Sequence, residues 1–205
     1  MLNEFIGAVL QVLMFMLIPF IVYLIQHKGV KGFFNYIGLK KSTPKANLLA
    51  ILTCLLFAAP PLILTLVNPD FRAIMFDPNS ITGKFRQMGF GTGSIIILLL
   101  IALFKTSLSE ELFFRGFVAK RLIAGLGFLR GNVLQAFIFG IIHTILFSFT
   151  TRDPLFLVVI FLIPSIGAYV SVILNEKMAN GSIIPGWIAH GLANVLAYGI
   201  VGFLL

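Results

Sequence analysis

Apolar residues run along this chain in long unbroken stretches, with polar residues gathered between them. Neither the two-residue alternation of a half-buried strand nor the narrow stripe of a surface helix accounts for such runs. Stretches of about 20 apolar residues match the hydrocarbon thickness of a bilayer at ~1.5 Å rise per residue. The pattern predicts six spans, at roughly 5–26, 47–67, 94–117, 132–150, 154–175 and 182–204. Pro19 and Pro164 fall inside predicted spans and are expected to kink them. Between the second and third spans, residues 68–93 carry enough Pro, Gly, Asn and Asp to break a long helix. Phe71, Ile74, Met75 and Phe85 there are expected to dip into the membrane interface, the segment serving as a connector in preference to a lid.

Composition agrees with the pattern. Of 205 residues, 59% are hydrophobic and only 11% charged, with a mean hydropathy of +1.05, which excludes an ordinary soluble domain. The predicted fold is all-α: a polytopic transmembrane helix bundle forming a single integral-membrane domain over 1–205. No internal repeat or low-complexity segment stands out. The N-terminal stretch lacks a basic leader and reads as a retained helix, not a signal peptide. Cys54 lies in an apolar run and is expected to be a packed core thiol. Trp187 fits either an interfacial anchor or the packed interior.

The net charge of +8 has an orientational meaning. Lys28, Lys31, Lys40, Lys41 and Lys45 follow the first span, Lys120, Arg121 and Arg130 the third, and Lys177 the fifth; the other side receives Arg72, Lys84, Arg86 and Arg152. The excess places the first, third and fifth loops in the cytoplasm and both termini outside, in a multi-pass protein of the cell membrane. The same basic patch can touch anionic lipid, and no nucleic-acid partner is required.

Against this apolar background, "SLSEELFFRGF" at 107–117 is anomalous, because a carboxylate or arginine deep in a bilayer costs at least ~2.5–3.5 kcal/mol and is retained for a partner or a wet cavity. Glu111 and Arg115 are one helical turn apart and can pair, while Glu110 points about 100° away and is left available. His143 with Phe139, and His190 with Asn194, repeat the four-residue spacing on the fourth and sixth spans. Taking ~1.5 Å per residue and a ~30 Å core, Glu110 lies about 6 Å from the cytoplasmic boundary and His143, His190 and Asn194 about 10–16 Å from it, so all can meet in the cytoplasmic half. A carboxylate, two imidazoles and an amide screened from bulk water suit hydrolysis. Glu110 acts as general base, His143 helps hold the water, and His190 and Asn194 donate to the oxyanion formed at a peptide carbonyl. Ser107 and Ser109 have no aspartate to orient a serine–histidine pair and read as helix-packing residues, and Lys105 either pairs with a carboxylate or lines the cavity.

"EELFFR", "FGIIH" and "HGLAN", the last preceded by "NGSIIPGWIA", stand in the order of the EExxxR, FxxxH and HxxxN motifs. In these the chain resembles the CPBP family of CAAX-processing endopeptidases and their bacterial relatives, the Abi proteins, with a motif-bearing core at about 94–204. The resemblance implies an intramembrane glutamic endopeptidase with Glu110 as base, His143 as its water-positioning partner, His190 and Asn194 as oxyanion hole, and Glu111, Arg115 and Phe139 supporting them. It implies no cofactor, a membrane-associated peptide or protein as substrate, and the lipid bilayer as partner. Three other readings compete. A zinc protease would use Glu110 or Glu111 with His143 and His190. A bacteriocin-immunity membrane protein would act without cleavage. A proton-coupled carrier would use the buried carboxylate and histidines as an ion path.

Overall fold

The computed structural model describes residues 1–205; its only regular elements are helices, six of them long and apolar enough to cross a membrane. They are α1 (Leu2–His27), α3 (Pro44–Val67), α6 (Thr92–Leu126), α7 (Phe128–Ser148), α8 (Pro154–Met178) and α9 (Ile184–Phe203). Three short helices, α2 (Phe33–Tyr36), α4 (Pro69–Phe76) and α5 (Ile81–Met88), complete the chain. The protein is thus a multi-pass membrane protein, with all six expected spans in place.

Helix starts are written in local sequence. Thr43, Asn68, Ser80 and Asp153 accept from the backbone N–H of Ala46, Phe71, Gly83 and Phe156, satisfying donors that a helix start leaves unpaired. Proline stands at the start of α3, α4 and α8, where its missing N–H costs nothing. Pro19 and Pro164 lie inside helices, as do Pro60 and Pro61.

α9 is the hub. Ala46, Ala50, Cys54 and Ala58 form a buried four-residue repeat on α3, and this stripe packs on Ala189 and Ala193 of α9. Small side chains let two helices approach where lipid supplies no hydrophobic drive, so association rests on close packing. Cys54 belongs to this seam, as a packed core thiol. α7 and α8 meet at Gly140, where a β-carbon would lie 1.9 Å from Ser165 Oγ. Asn132 and Gln135 donate across that interface to Tyr169 O and Ala168 O, both at 3.1 Å.

Two features depart from expectation. The 68–93 segment folds into α4 and α5 and packs inward: Phe71 and Phe85 are buried, Phe71 against Phe156 with ring centroids 4.8 Å apart. The aromatic side chains at these two positions therefore belong to the bundle core instead of dipping into the interface. Their helices are too short to bury both faces alone, and the space beside α8 and α9 receives them. The second departure is in α6, which is π-helical over Leu100–Leu108 and Glu111–Ala119. Side chains reinforce the wider turns. Thr106 and Ser107 donate to carbonyls five residues back, Ile101 O at 2.9 Å and Ala102 O at 2.6 Å. Trp187 of α9 donates to Leu103 O at 2.6 Å and Gln11 of α1 to Lys105 O at 2.7 Å. Of its two readings, Trp187 takes the packed one.

Candidate functional site

The π-helical runs of α6 flank Ser109 and Glu110, a placement that π-turns often take at functional positions. There α6 presents Glu110 and Glu111 toward α7 and α9. Glu110 Oε2 lies 3.8 Å from His143 Nε2 of α7 and 3.8 Å from His190 Nε2 of α9. That oxygen is buried and has no hydrogen-bond partner in the protein. Both distances exceed a direct hydrogen bond, and a group between them can touch more than one. Sequence spacing had placed these residues on separate spans; the bundle brings them to one point.

Glu111 is fully buried and does two things. Its Oε1 is 3.3 Å from Arg115 Nε, the expected ion pair, and 3.2 Å from His190 Nδ1. The Arg115 guanidinium also sits 4.0 Å over the Phe139 ring, a cation–π contact. Phe139 in turn packs on His143, with ring centroids at 4.3 Å, and meets His190 edge-on at 6.2 Å. The supporting residues therefore form one column, Glu111–Arg115–Phe139, that touches both imidazoles. The contact of Glu111 with His190 was not foreseen, since nothing in a linear sequence joins α6 to α9.

Ring orientation follows from the partners. His143 Nδ1 is 2.8 Å from Phe139 O, and a carbonyl only accepts, so Nδ1 carries a proton; Nε2, the nitrogen facing Glu110, is an acceptor when the ring is neutral. His190 Nδ1 faces the Glu111 carboxylate in the same way.

Asn194 lies one turn beyond His190. Its Nδ2 donates to Ser107 Oγ at 3.0 Å and Thr106 Oγ1 at 3.2 Å, hydroxyls whose own protons are committed to Ala102 O and Ile101 O. The amide nitrogen is thus anchored on the π-helical turn. Ser107, set aside as helix packing, is buried and positions Asn194; its value at an i−5 spacing appears only once the helix is known to be wide. Ser109 donates to Lys105 O at 2.5 Å and keeps the packing role expected of it. Lys105 resolves to pairing, with Glu4 of α1 at 3.3 Å.

Gly186 admits the column. A β-carbon there would lie 2.5 Å from Glu111 Oε2 and 2.8 Å from Asn175 Nδ2, so only glycine lets α9 start this close to the acid. Asn175 Oδ1 accepts from Gly186 N at 2.9 Å.

The polar cluster opens onto a cavity of about 210 Å³. Glu110, His143, His190, Asn194 and Thr106 line it together with Phe57, Phe71, Met75, Phe147, Phe156 and Ile163. The 68–93 segment contributes Phe71 and Met75 and so forms wall as well as connection.

Over residues 92–196, just over half of its length, the chain matches the type II CAAX prenyl endopeptidase Rce1-like family. The matched region runs from the start of α6 to beyond Asn194 and contains every residue of the cluster. The chain belongs to that family, which makes it a membrane-embedded protein of a CAAX-type peptide hydrolase class. Comparison with curated proteins and with solved structures finds no match.

Proposed function

We propose that the chain is an intramembrane glutamic endopeptidase that hydrolyses a peptide bond of a membrane-associated peptide or protein. The observation that carries the reading is the orphaned Glu110 oxygen held 3.8 Å from two imidazole nitrogens in the lining of a largely apolar cavity. A water that gives one proton to Glu110 Oε2 and the other to His143 Nε2 bridges such a gap and turns its lone pairs to the cavity. Glu110 takes the first proton as the oxygen attacks the carbonyl carbon. The developing oxyanion is flanked by His190 and Asn194. His190 donates through Nε2 when the ring carries both protons, because Nδ1 is turned to Glu111. Asn194 donates by exchanging its longer bond, to Thr106, for the oxyanion while Ser107 holds the amide in place. Glu110 then returns its proton to the amine nitrogen as the C–N bond breaks, so no covalent enzyme intermediate forms.

The wall of Phe57, Phe71, Phe147 and Phe156 suits an apolar stretch of substrate. The family's name adds a prenylated C-terminus to the candidates, beside an unmodified membrane peptide. Predicted orientation puts the site in the cytoplasmic half. The reading takes no metal.

The test compares the membrane peptidome of cells carrying the wild type with that of cells carrying Glu110→Gln, together with zinc analysis of the purified protein. Peptides cleaved only by the wild type support the proposal. Full biological function in the Gln variant points to a binding or immunity role. Stoichiometric zinc, with activity lost to chelator and restored by the metal, replaces the proposal with the zinc mechanism.

A further inference from the structure

Tyr198 lines the same cavity as Glu110, His143, His190 and Asn194, yet belongs to none of the three motifs. It stands four residues beyond Asn194 and eight beyond His190, so α9 carries an imidazole, an amide and a phenol along one face. The ring is packed against the cluster of Phe85, Ile97, Leu98 and Ile101, where α5 and α6 meet α9, and that packing orients the hydroxyl. Side chains on a helix lean toward its N-terminal end, and α9 runs from Ile184 to Phe203, so the phenol leans back toward Asn194.

The polar surroundings agree. The hydroxyl neighbours Thr106 and lies in the field of the Glu110 carboxylate. Thr106 is also the group on which Asn194 rests, Nδ2 to Oγ1 at 3.2 Å, and its own proton goes to Ile101 O at 2.9 Å. Thr106 Oγ1 therefore only accepts, and an amide and a phenol face one oxygen as two donors. A phenol enclosed by apolar side chains ordinarily takes a hydrogen-bond partner, and packing alone would be served by phenylalanine. A neutral hydroxyl shared between two donors is a weak partner for both. A carbonyl oxygen that gathers negative charge beside Asn194 is a stronger acceptor and is open to the same pair.

We propose that Tyr198 is a third donor of the oxyanion hole, its phenol O–H meeting the oxygen of the scissile carbonyl beside His190 and Asn194. The assignment rests on the endopeptidase reading and adds a catalytic residue to it. The phenol keeps its proton throughout. Glu110 still takes the proton from water and returns it to the leaving amine, so the balance of the reaction is unchanged.

The test uses the full chain in lipid nanodiscs and a fluorogenic peptide built on a sequence that the wild type cuts and Glu110→Gln does not. Tyr198→Phe keeps the ring and removes the donor. It should lower kcat about ten- to hundredfold, with KM within about twofold of wild type and Tm unchanged. A difluoroketone analogue of the same peptide, whose hydrate presents a tetrahedral centre, should bind Tyr198→Phe more weakly by a similar factor. The uncut peptide should bind Glu110→Gln equally well with and without Tyr198→Phe. Wild-type kcat in Tyr198→Phe overturns the assignment and leaves the endopeptidase reading standing. A variant that unfolds, or that raises KM while holding the analogue as tightly as the wild type does, makes the phenol a packing or binding group and overturns the assignment too. If the wild type cuts no peptide at all, the endopeptidase reading falls and the assignment falls with it.

Discussion

α1 and α6 can both cross a bilayer, but they stand in different relations to it. α1 is the more hydropathic, and 17% of its best membrane window is buried inside the protein; α6 is less so, yet 39% of its window is buried. Phe5, Leu10, Leu13 and Leu17 of α1 are exposed to lipid. α6 turns Glu111 and Arg115 into the bundle at 0% and 2% side-chain exposure. The rule of a soluble core is inverted. Where lipid is the solvent, the greasiest helix has least reason to be inside, and the helix with charges must be enclosed by others that satisfy them. α1 keeps its place through a few polar ties, Gln11 to Lys105 O and Glu4 to Lys84 and Lys105.

Substitutions can sharpen or break this contrast. The largest effect is expected for Glu110→Gln, which removes the base and should lower kcat by up to about 10^4-fold. Its Tm should stay near wild type, because Oε2 has no protein partner to lose. Glu111→Gln should do the reverse in kind. It strips the buried Arg115 of its counter-charge and should cost about 3–5 kcal/mol of stability, seen as a lower Tm or loss of folded protein. Equal thermal losses for the two would show that the carboxylates are not divided into a free acid and a paired one. Gly186→Ala, which drives a methyl into Glu111 and Asn175, should cost about 1–3 kcal/mol in the same assay. Ser107→Ala removes the shorter anchor of Asn194 and should lower kcat about tenfold with KM unchanged, since a hydrogen bond of roughly 1–1.5 kcal/mol is lost to the transition state alone. Smallest is Leu13→Ala on the lipid face of α1, expected within about 0.5 kcal/mol of wild type. A loss as large as that of Gly186→Ala would mean that α1 is not peripheral.

Much of the site was legible because each motif is a local spacing. EELFFR, FGIIH and HGLAN each place a pair one helical turn apart, and polar residues in apolar spans announce themselves by their cost. The Glu111–Arg115 pair and the Phe139–His143 contact followed directly. What was hidden depended on two helices at once or on a departure from 3.6 residues per turn. The His190–Glu111 contact joins residues 79 apart, and the Ser107–Asn194 anchor joins residues 87 apart across a wide turn. The inward packing of Phe71 and Phe85 was hidden for a related reason: an aromatic residue beside a membrane satisfies interface and core equally in sequence terms.

Sequence by itself determined that the chain lives in a bilayer, how many times it crosses, and which helices carry polar groups that cannot face lipid. Those follow from transfer free energies, which sum residue by residue and need no knowledge of neighbours. Tertiary structure alone decided that Glu110 Oε2 lacks a direct partner while Glu111 Oε1 has two, and that α6 widens into π-turns. Each is a matter of distances between segments remote in the chain, where differences of about one ångström separate a hydrogen bond from an open position.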